Sequence, residues 1–412
     1  MDFSGTRDAA LSRLKEFIPK VKAYARDRNF VQPENENVSC LSPAIRCRLL
    51  TESEVIQEVM AQYDLQSAEK FIQEVYWRTY WKGWLELRPQ IWTQYRQEVQ
   101  ELKENSDLVE RCQLLEEGRS GIEPLDHFAH QLNETGYMHN HARMWFASYW
   151  VHGARLPWQL GADYFYRHLL DADPASNTLS WRWVAGLQTQ GKTYLVKKEN
   201  IEKFARGLDL RSLDRLSDLQ PVLSEPEPNE VRTPQLLPPA KTYVNGALSH
   251  PEDRIGIWFH GEDLSLETSP LKSIQPASIC AICSMHLFEE YDLSESRQDY
   301  MQQAVVDGIR RAKNHFGIAP ECRAEMSLSG SVIQWAKDQK LNHVTAMRPC
   351  VGPLSQAVEE IERGLAENGI QIHWFRRPED EKVWPYAKKG FFPFWQKVRS
   401  DLDKQLQLPL LN

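Results

Sequence analysis

TGYMHNHARMWFASYW (135–150) and LPWQLGADYFYRHLLDADPASNTLSWRW (156–183) decide how the rest of the chain is read. Few helix breakers interrupt them, and apolar residues recur at helical spacing. They also hold an unusual density of polar groups that need partners once buried: Asn140, Arg143, Asp171, Asp173 and Asn177, among repeated Trp. Asn140, Arg143 and Met144 stand at i, i+3 and i+4, so they share one helical face. His139 and His141 have no third ligand spaced to join them, and no metal is expected. Asp171 and Asp173 can cap helices; with Asn177 and a nearby Arg they also suit the donors and acceptors of a heterocycle. The stretch reads as the wall of a cofactor pocket in a helical domain.

Toward the N-terminus, Leu11, Leu14, Ile18, Val21 and Ala25 mark a helical stripe over 6–27, with Tyr24 on it. In VSCLSPAIR (38–46), Ser39 and Ser42 precede a helix whose first turn takes Pro43. Such a start either cradles a phosphate or is plainly capped, and from the motif alone capping is the better reading. Thr51 and Glu54 form a capping-box pattern. A helix over 67–86 brings Phe71, Glu74, Arg78, Trp77 and Trp81 onto one broad arc. A surface Glu–Arg pair beside an apolar stripe is the simpler reading, a cavity lining the sharper one. Residues 93–120 are polar, a helix followed by an exposed loop. Between 182 and 206, Arg182, Lys192, Lys197, Lys198, Lys203 and Arg206 face only Glu199 and Glu202. This basic strip beside Trp residues fits a nucleic-acid footprint or a solvated helix face about equally.

The chain has 412 residues, enough for two domains. Its net charge of -8 excludes a global basic field for nucleic acid. Seven scattered Cys suit reduced thiols in the cytoplasm. The charged, amphipathic N-terminus is not a secretory signal, and no apolar run approaches the roughly 20 residues of a membrane span. PVLSEPEPNEVRTPQLLPPA (221–240) is Pro-rich and aperiodic, an extended linker. Beyond it the pattern changes. Apolar runs at 254–259, 278–285, 322–328, 343–348 and 370–375 alternate with helical stretches at 295–316, 329–340 and 353–368. That predicts a doubly wound, five-stranded, mostly parallel sheet. The expected plan is an all-helical domain over 1–220, a linker over 221–250, an α/β domain over 251–399 and a tail over 400–412. Cys280 and Cys283 would point to opposite faces of a strand, so shared ligation or a redox pair is disfavoured. No GxGxxG or Walker loop follows the first strand.

These residues carry a family resemblance. GIEPLDHFAHQLNETGYMHNHARM (121–144) resembles TGYPxVDAxMRQLxxTGWMHNRxRM of the photolyase/cryptochrome family. DYFYRHLLDADPASNTLSWRW (163–183) resembles its YFxxxLIDGDxAxNNGGWQW. YARDRNF followed by SCLSP, and FIQEVYWRTYW, match two further blocks. The C-terminal half fits more weakly: GIWFHGEDLSLETSP (256–270) is similar to the family's opening strand, and KGFFPFWQKV (389–398) to the segment leading into its helical domain. The antenna-type domain would then come second, a permuted order.

The resemblance implies FAD held by Tyr24, Ser39, Leu41 and Ser42 at its phosphates and ribose, Arg78 and Arg143 beside the flavin, Arg143 paired with Asp171, and Asp171 and Asp173 on the isoalloxazine and ribityl regions. Asn177 would face flavin N5, where plant cryptochromes carry Asp. Glu74, Asn140, Met144, Trp77 and Trp183 match a pocket for a cyclobutane pyrimidine dimer, with Arg182 and Lys192 near the DNA. Trp181 and Trp158 match the inner and middle electron-transfer residues. The outer Trp is missing near Asn105, leaving Trp92 or Trp150 as substitutes. Other departures are Val38 for Thr, Tyr137 for Trp, His141 for Arg and SNTLSW for NNGGW. The motif lacks the paired His of (6-4) photolyases. The implied function is light-driven repair of cyclobutane pyrimidine dimers in damaged DNA by a fully reduced FAD; a cryptochrome-type photoreceptor without repair is the alternative, favoured by the negative net charge. The protein is expected to be a monomer off the membrane. A second, antenna chromophore is left open, as no motif identifies one.

Overall fold

In the computed structural model the described residues are 3–188, 192–205, 207–222, 229–243, 253–282, 285–323 and 327–407. The chain forms two compact units whose pieces interleave in sequence. The first comprises Met1–Arg46, Gln90–Arg232 and Leu287–Ala304, and the second Cys47–Pro89, Thr233–His286 and Val305–Asn412. The expected division at the Pro-rich linker does not describe this grouping, because residues 47–89 pack with the sheet.

The first unit is helical. Thr6 caps Arg7–Phe17 by accepting from the Ala9 amide. The helix expected over 6–27 is broken there, because Pro19 lacks an amide to donate; a 3-10 turn Ile18–Lys20 intervenes before Val21–Asp27. The exposed loop expected before residue 120 is instead largely a second helix, Ser106–Glu116, which Asn105 caps through the Leu108 amide. Glu123–Thr135 ends at Gly136, whose φ of 65° is open to glycine without strain. Asn140–Ser148 continues into a π-helical turn, Tyr149–Gly153. Trp158–His168 and Pro174–Val184 complete the pocket-bearing stretch. Trp145, Trp150, Trp181, Tyr164, Phe128 and Phe146 are among the largest fully buried side chains. Asp163 lies inside this core, within 2.7 Å of Arg96, 2.8 Å of Lys103 and 3.3 Å of Arg167.

The second unit is built on a parallel sheet. Its strands are β1 (Ile255–Phe259), β2 (Ser278–Ile282), β3 (Glu321–Arg323), β4 (His343–Met347) and β5 (Gln371–Phe375), in the order β3-β2-β1-β4-β5. All pairings are parallel, with Ile257 opposite Ile279 on one side and Thr345 on the other. The central strands are apolar on both faces, as burial between helices requires. The expected five-stranded doubly wound sheet is present. The third strand is shorter than expected: Leu328 already belongs to a helix, because Ser327 caps the Gly330 amide. Cys280 is buried in β2, while Cys283 lies outside the described residues.

Residues 47–89 join this unit through two helices. Thr51 and Glu54 form the expected capping box at Glu52–Met60, and Asp64 caps Leu65–Glu86. Gly83 allows a close approach: a Cβ there would sit 2.9 Å from the Trp384 backbone. The ion network around Asp263 adds a second tie. Its carboxylate takes two hydrogen bonds from Arg377, at 2.8 and 2.7 Å, and one from Arg48 at 3.1 Å. Arg48 also pairs with Asp380 and lies 3.7 Å from Glu52.

Burial pushes the Asp263 pKa up, but the facing guanidinium groups hold it far below the usual carboxylate range. A depressed carboxylate contributes stability above its unfolded pKa of about 4 and loses it as the pH falls. Asp263→Asn should cost roughly 3–5 kcal/mol at neutral pH, because buried Arg377 loses its carboxylate partner and Arg48 one of its three. Urea unfolding checks this, with the gap to wild type narrowing below about pH 4.

Candidate functional site

The first unit brings one group of expected residues together. Arg143 and Asp171 pair at 3.0 Å, and Arg143 Nε donates to the Met138 carbonyl at 2.7 Å. That second bond fixes the guanidinium against the turn before its own helix, so the pair is oriented rather than loosely charged. Asp173 caps Pro174–Val184, accepting from the Ser176 amide at 2.8 Å and its hydroxyl at 3.0 Å. Asn177, one turn on, donates Nδ2 to the Ala162 carbonyl at 2.7 Å. A carbonyl acceptor requires the NH2 there, so the amide oxygen is the acceptor end. Asn140 is exposed at the start of its helix, and Met144 is half-buried. His139 is buried and its pKa is driven down to about 3, chiefly by desolvation, so it is neutral; its Nδ1 accepts from the His141 amide at 3.1 Å. Among the described residues no group of three or more His, Cys, Asp or Glu could hold a metal.

Nearer the N-terminus, Tyr24 is half-buried with its ring edge-on to Phe17 at 5.8 Å. Ser39 accepts from the Leu41 amide at 3.5 Å, Leu41 is buried, and Ser42 opens the short Ser42–Arg46 helix.

The aromatic residues divide clearly. Trp181 is 2% exposed, edge-on to Phe165 at 5.0 Å and Trp150 at 6.1 Å. Gly161 lets it seat: a Cβ there would lie 2.3 Å from the indole. Trp158 is one helical turn before Gly161 and stacks on Tyr95 at 5.4 Å, which in turn meets Trp92 at 5.5 Å. Trp92 is therefore joined to Trp158 through Tyr95, a residue the sequence reading passed over; its signal was the aromatic pair three apart in IWTQY (91–95). Trp150, the other substitute considered, donates Nε1 to the Pro157 carbonyl at 2.9 Å. Trp183 is half-buried and stacks on Tyr194 at 5.5 Å.

One expected DNA contact is corrected. Arg182 is only 4% exposed, its guanidinium 5.8 Å from the Trp158 ring centroid, because it points into the helical core. Lys192 is exposed, Lys198 pairs with Asp214, and Arg206 lies outside the described residues.

The second unit holds the other group. Glu74 is part-exposed and pairs with Lys70 at 2.9 Å. Trp77 stacks on Phe391 at 3.9 Å, nearly parallel, with Trp81 at 5.3 Å. One face of Trp77 is thus already covered. Arg78 is half-buried on the same helix.

At the switch point between β1 and β4, His260 Nε2 donates to the Met347 carbonyl at 2.8 Å, Glu262 accepts from the Cys350 amide at 2.8 Å, and Glu86 accepts from the Val351 amide at 2.6 Å. Ligands of doubly wound sheets bind at such a point. Here its amides are engaged by two of the chain's own carboxylates.

Residues 71–212 match the family described as the FAD binding domain of DNA photolyase. The deoxyribodipyrimidine photo-lyase of Vibrio cholerae is 27% identical over 193 residues, covering 44% of this chain and 40% of that protein. That of Alkalihalophilus pseudofirmus is 31% identical over 192 residues, covering 45% and 39%. A bacterial class III photolyase from Agrobacterium tumefaciens is similar in structure, at 26% identity and a TM-score of 0.41, covering 48% of this chain and 42% of that one. Over residues 71–212 this chain resembles the FAD binding domain of DNA photolyase, and it spans about two fifths of the length of the curated relatives it matches. The residues present fit a flavin: an oriented Arg–Asp pair and an Asn with its amide oxygen as acceptor lie on adjoining helices.

Burial raises the pKa of Glu86 to about 7. A raised carboxylate weakens the fold as the pH climbs from the ordinary glutamate range through that value. Glu86→Gln keeps an acceptor for Val351. It should leave stability unchanged near pH 4 and raise it by up to about 3 kcal/mol at pH 8, measured by thermal and urea unfolding.

Proposed function

We propose that this protein binds FAD and repairs cyclobutane pyrimidine dimers in DNA under blue light. The observation that carries the reading is Asn177, whose amide nitrogen is spent on Ala162 and whose oxygen remains as acceptor. The chemistry supplied by a bound, fully reduced FAD is the light-driven transfer of one electron to the dimer. The chain's own residues bind and orient. Asn177 would accept a hydrogen bond from flavin N5–H through its amide oxygen, and Arg143, held by Asp171 and Met138, would keep a fixed positive charge beside the ring. Tyr24, Ser39, Leu41 and Ser42 bind the phosphates and ribose. Arg78 and Asp173 complete the cofactor set.

Glu74 hydrogen-bonds the dimer. Trp77 and Trp183 each present one ring face to the extruded bases, their other faces resting on Phe391 and Tyr194. Lys192 contributes a phosphate contact; Arg182 does not, since it is buried. Trp181 and Trp158 supply electrons to the flavin. The α/β sheet following the helical stretch supports a permuted domain order, in which the sheet is the antenna-type module. A second chromophore at the switch point would have to displace Glu86 and Glu262 from the amides they hold.

The alternative, a cryptochrome-type photoreceptor without repair, is favoured by the net charge of -8 and by His141, whose Nδ1 bonds the Asn29 carbonyl at 2.9 Å, where the family motif has Arg.

The purified protein should show a flavin absorption spectrum, and blue light should remove dimers from an added damaged oligonucleotide. Flavin without repair on single- or double-stranded DNA would leave the photoreceptor. Failure to take up FAD would remove both readings. Glu74→Ala should depress repair with FAD content unchanged; equal loss of both would refute its place at the substrate.

A further inference from the structure

KGFFPFWQKV (389–398) and the two residues before it form a surface that the pocket does not use. Three successive carbonyls are tied inward. Arg88 donates to Ala387 O at 3.5 Å and to Lys388 O at 2.9 Å, and the Tyr80 hydroxyl donates to Lys389 O at 2.7 Å. Arg88 is itself 2% exposed and lies over Trp84 at 4.1 Å, so the anchor is rigid. With the backbone held from beneath, Lys388, Lys389 and Gly390 are exposed. Phe392 follows at 68% exposure, and Tyr386 precedes at 38%. The pinned turn runs straight into the helix Phe391–Gln407, whose second residue, Phe392, holds its ring in solvent beside the two lysines.

The patch also continues an aromatic row. Phe392 meets Phe391 edge-on at 5.8 Å, and Phe391 stacks on Trp77 at 3.9 Å. Exposed aromatic rings interleaved with ammonium groups match the chemistry of a single nucleic-acid strand, whose bases stack and whose phosphates are anionic. In a chain of net charge -8, two adjacent lysines are a local exception that opposes the overall field.

We propose that the segment Tyr386–Phe392, a turn and the start of the helix that follows it, is a second DNA contact, with Phe392 stacking on a base of the strand and Lys388 and Lys389 holding its phosphates. The proposal rests on the DNA-repair reading and extends it to residues outside the lesion pocket.

Fluorescence anisotropy with a short fluorescein-labelled thymine oligonucleotide, with and without a dimer, tests it on the full chain. Phe392→Ala should weaken binding to both by roughly five- to a hundredfold, the range for loss of one base–aromatic stack. Phe392→Tyr should restore it. Lys388→Gln with Lys389→Gln should lower the slope of log affinity against log salt by about 1.4, two single-strand phosphate contacts. FAD uptake and thermal midpoint should match wild type in every variant. Wild-type binding with all variants unchanged would overturn this contact and leave the repair reading standing. A wild type that takes up FAD but binds no DNA would overturn both. Phe392-dependent binding to phosphatidylserine vesicles, without effect on the oligonucleotide, would assign the surface to a membrane and overturn the proposal.

Discussion

The second unit depends on one buried carboxylate. Asp263 follows β1, Arg48 lies more than two hundred positions earlier, and Arg377 follows β5. Moving these ions out of water costs several kcal/mol each, so the arrangement is stable only when every charge meets its partner. Geometry is therefore forced. Arg48 accepts a left-handed backbone, φ 54°, uncommon for a residue with a Cβ, and its carbonyl accepts from the Ser265 hydroxyl at 2.7 Å. The Leu264 amide donates to the Cys47 carbonyl at 3.0 Å. Together these bonds make residues 47–89 part of the sheet unit, although most of the chain between them and the sheet belongs to the helical one.

Asp163 has the corresponding place in the first unit. Arg96 and Lys103 reach it from one neighbouring helix, Gln90–Lys103, and Arg167 from one turn on along its own helix; desolvation loses to these three cations, so it stays ionised. Arg167 reaches on to Glu116 at 2.7 Å. Arg46 and Arg297 both donate to the Ala172 carbonyl, at 3.2 and 3.1 Å, between Asp171 and Asp173. The backbone that displays the two acids is thus fixed by guanidinium groups from distant parts of the chain. The proposed flavin site would need its donors placed before the ligand arrives, and this bracing fixes them.

Local rules made much of this legible. The capping box at Thr51, the alternation of apolar runs with helices and the common face of Asn140, Arg143 and Met144 depend on residues within a few positions of each other. The sheet followed from apolar runs because parallel strands are buried on both faces. What escaped depends on long-range pairing. Nothing near residue 47 announces that Arg48 will meet Asp263, so the linker looked like the natural divide. Arg182 looked like a phosphate contact because positive charge reads as surface; its burial follows from where helix rotation points it. Phe391 beneath Trp77 and Tyr95 against Trp158 are contacts between segments that no spacing rule relates.

The helix Pro174–Val184 sends two neighbouring tryptophans to different surroundings. At 3.6 residues per turn, positions four apart nearly align and positions two apart diverge by about 200°. Asn177 and Trp181 therefore share a face, and both meet the helix that carries Ala162 and Gly161. Trp183 turns the other way, onto Tyr194, and keeps part of its surface in solvent. The proposed electron-carrying role of Trp181 suits an indole buried against fixed neighbours. The proposed base-stacking role of Trp183 would need one face left open. Helical geometry sends two tryptophans two residues apart to different surroundings, which is what such opposed roles would require. Asp173, by capping the helix through Ser176, sets the rotation from which both directions follow.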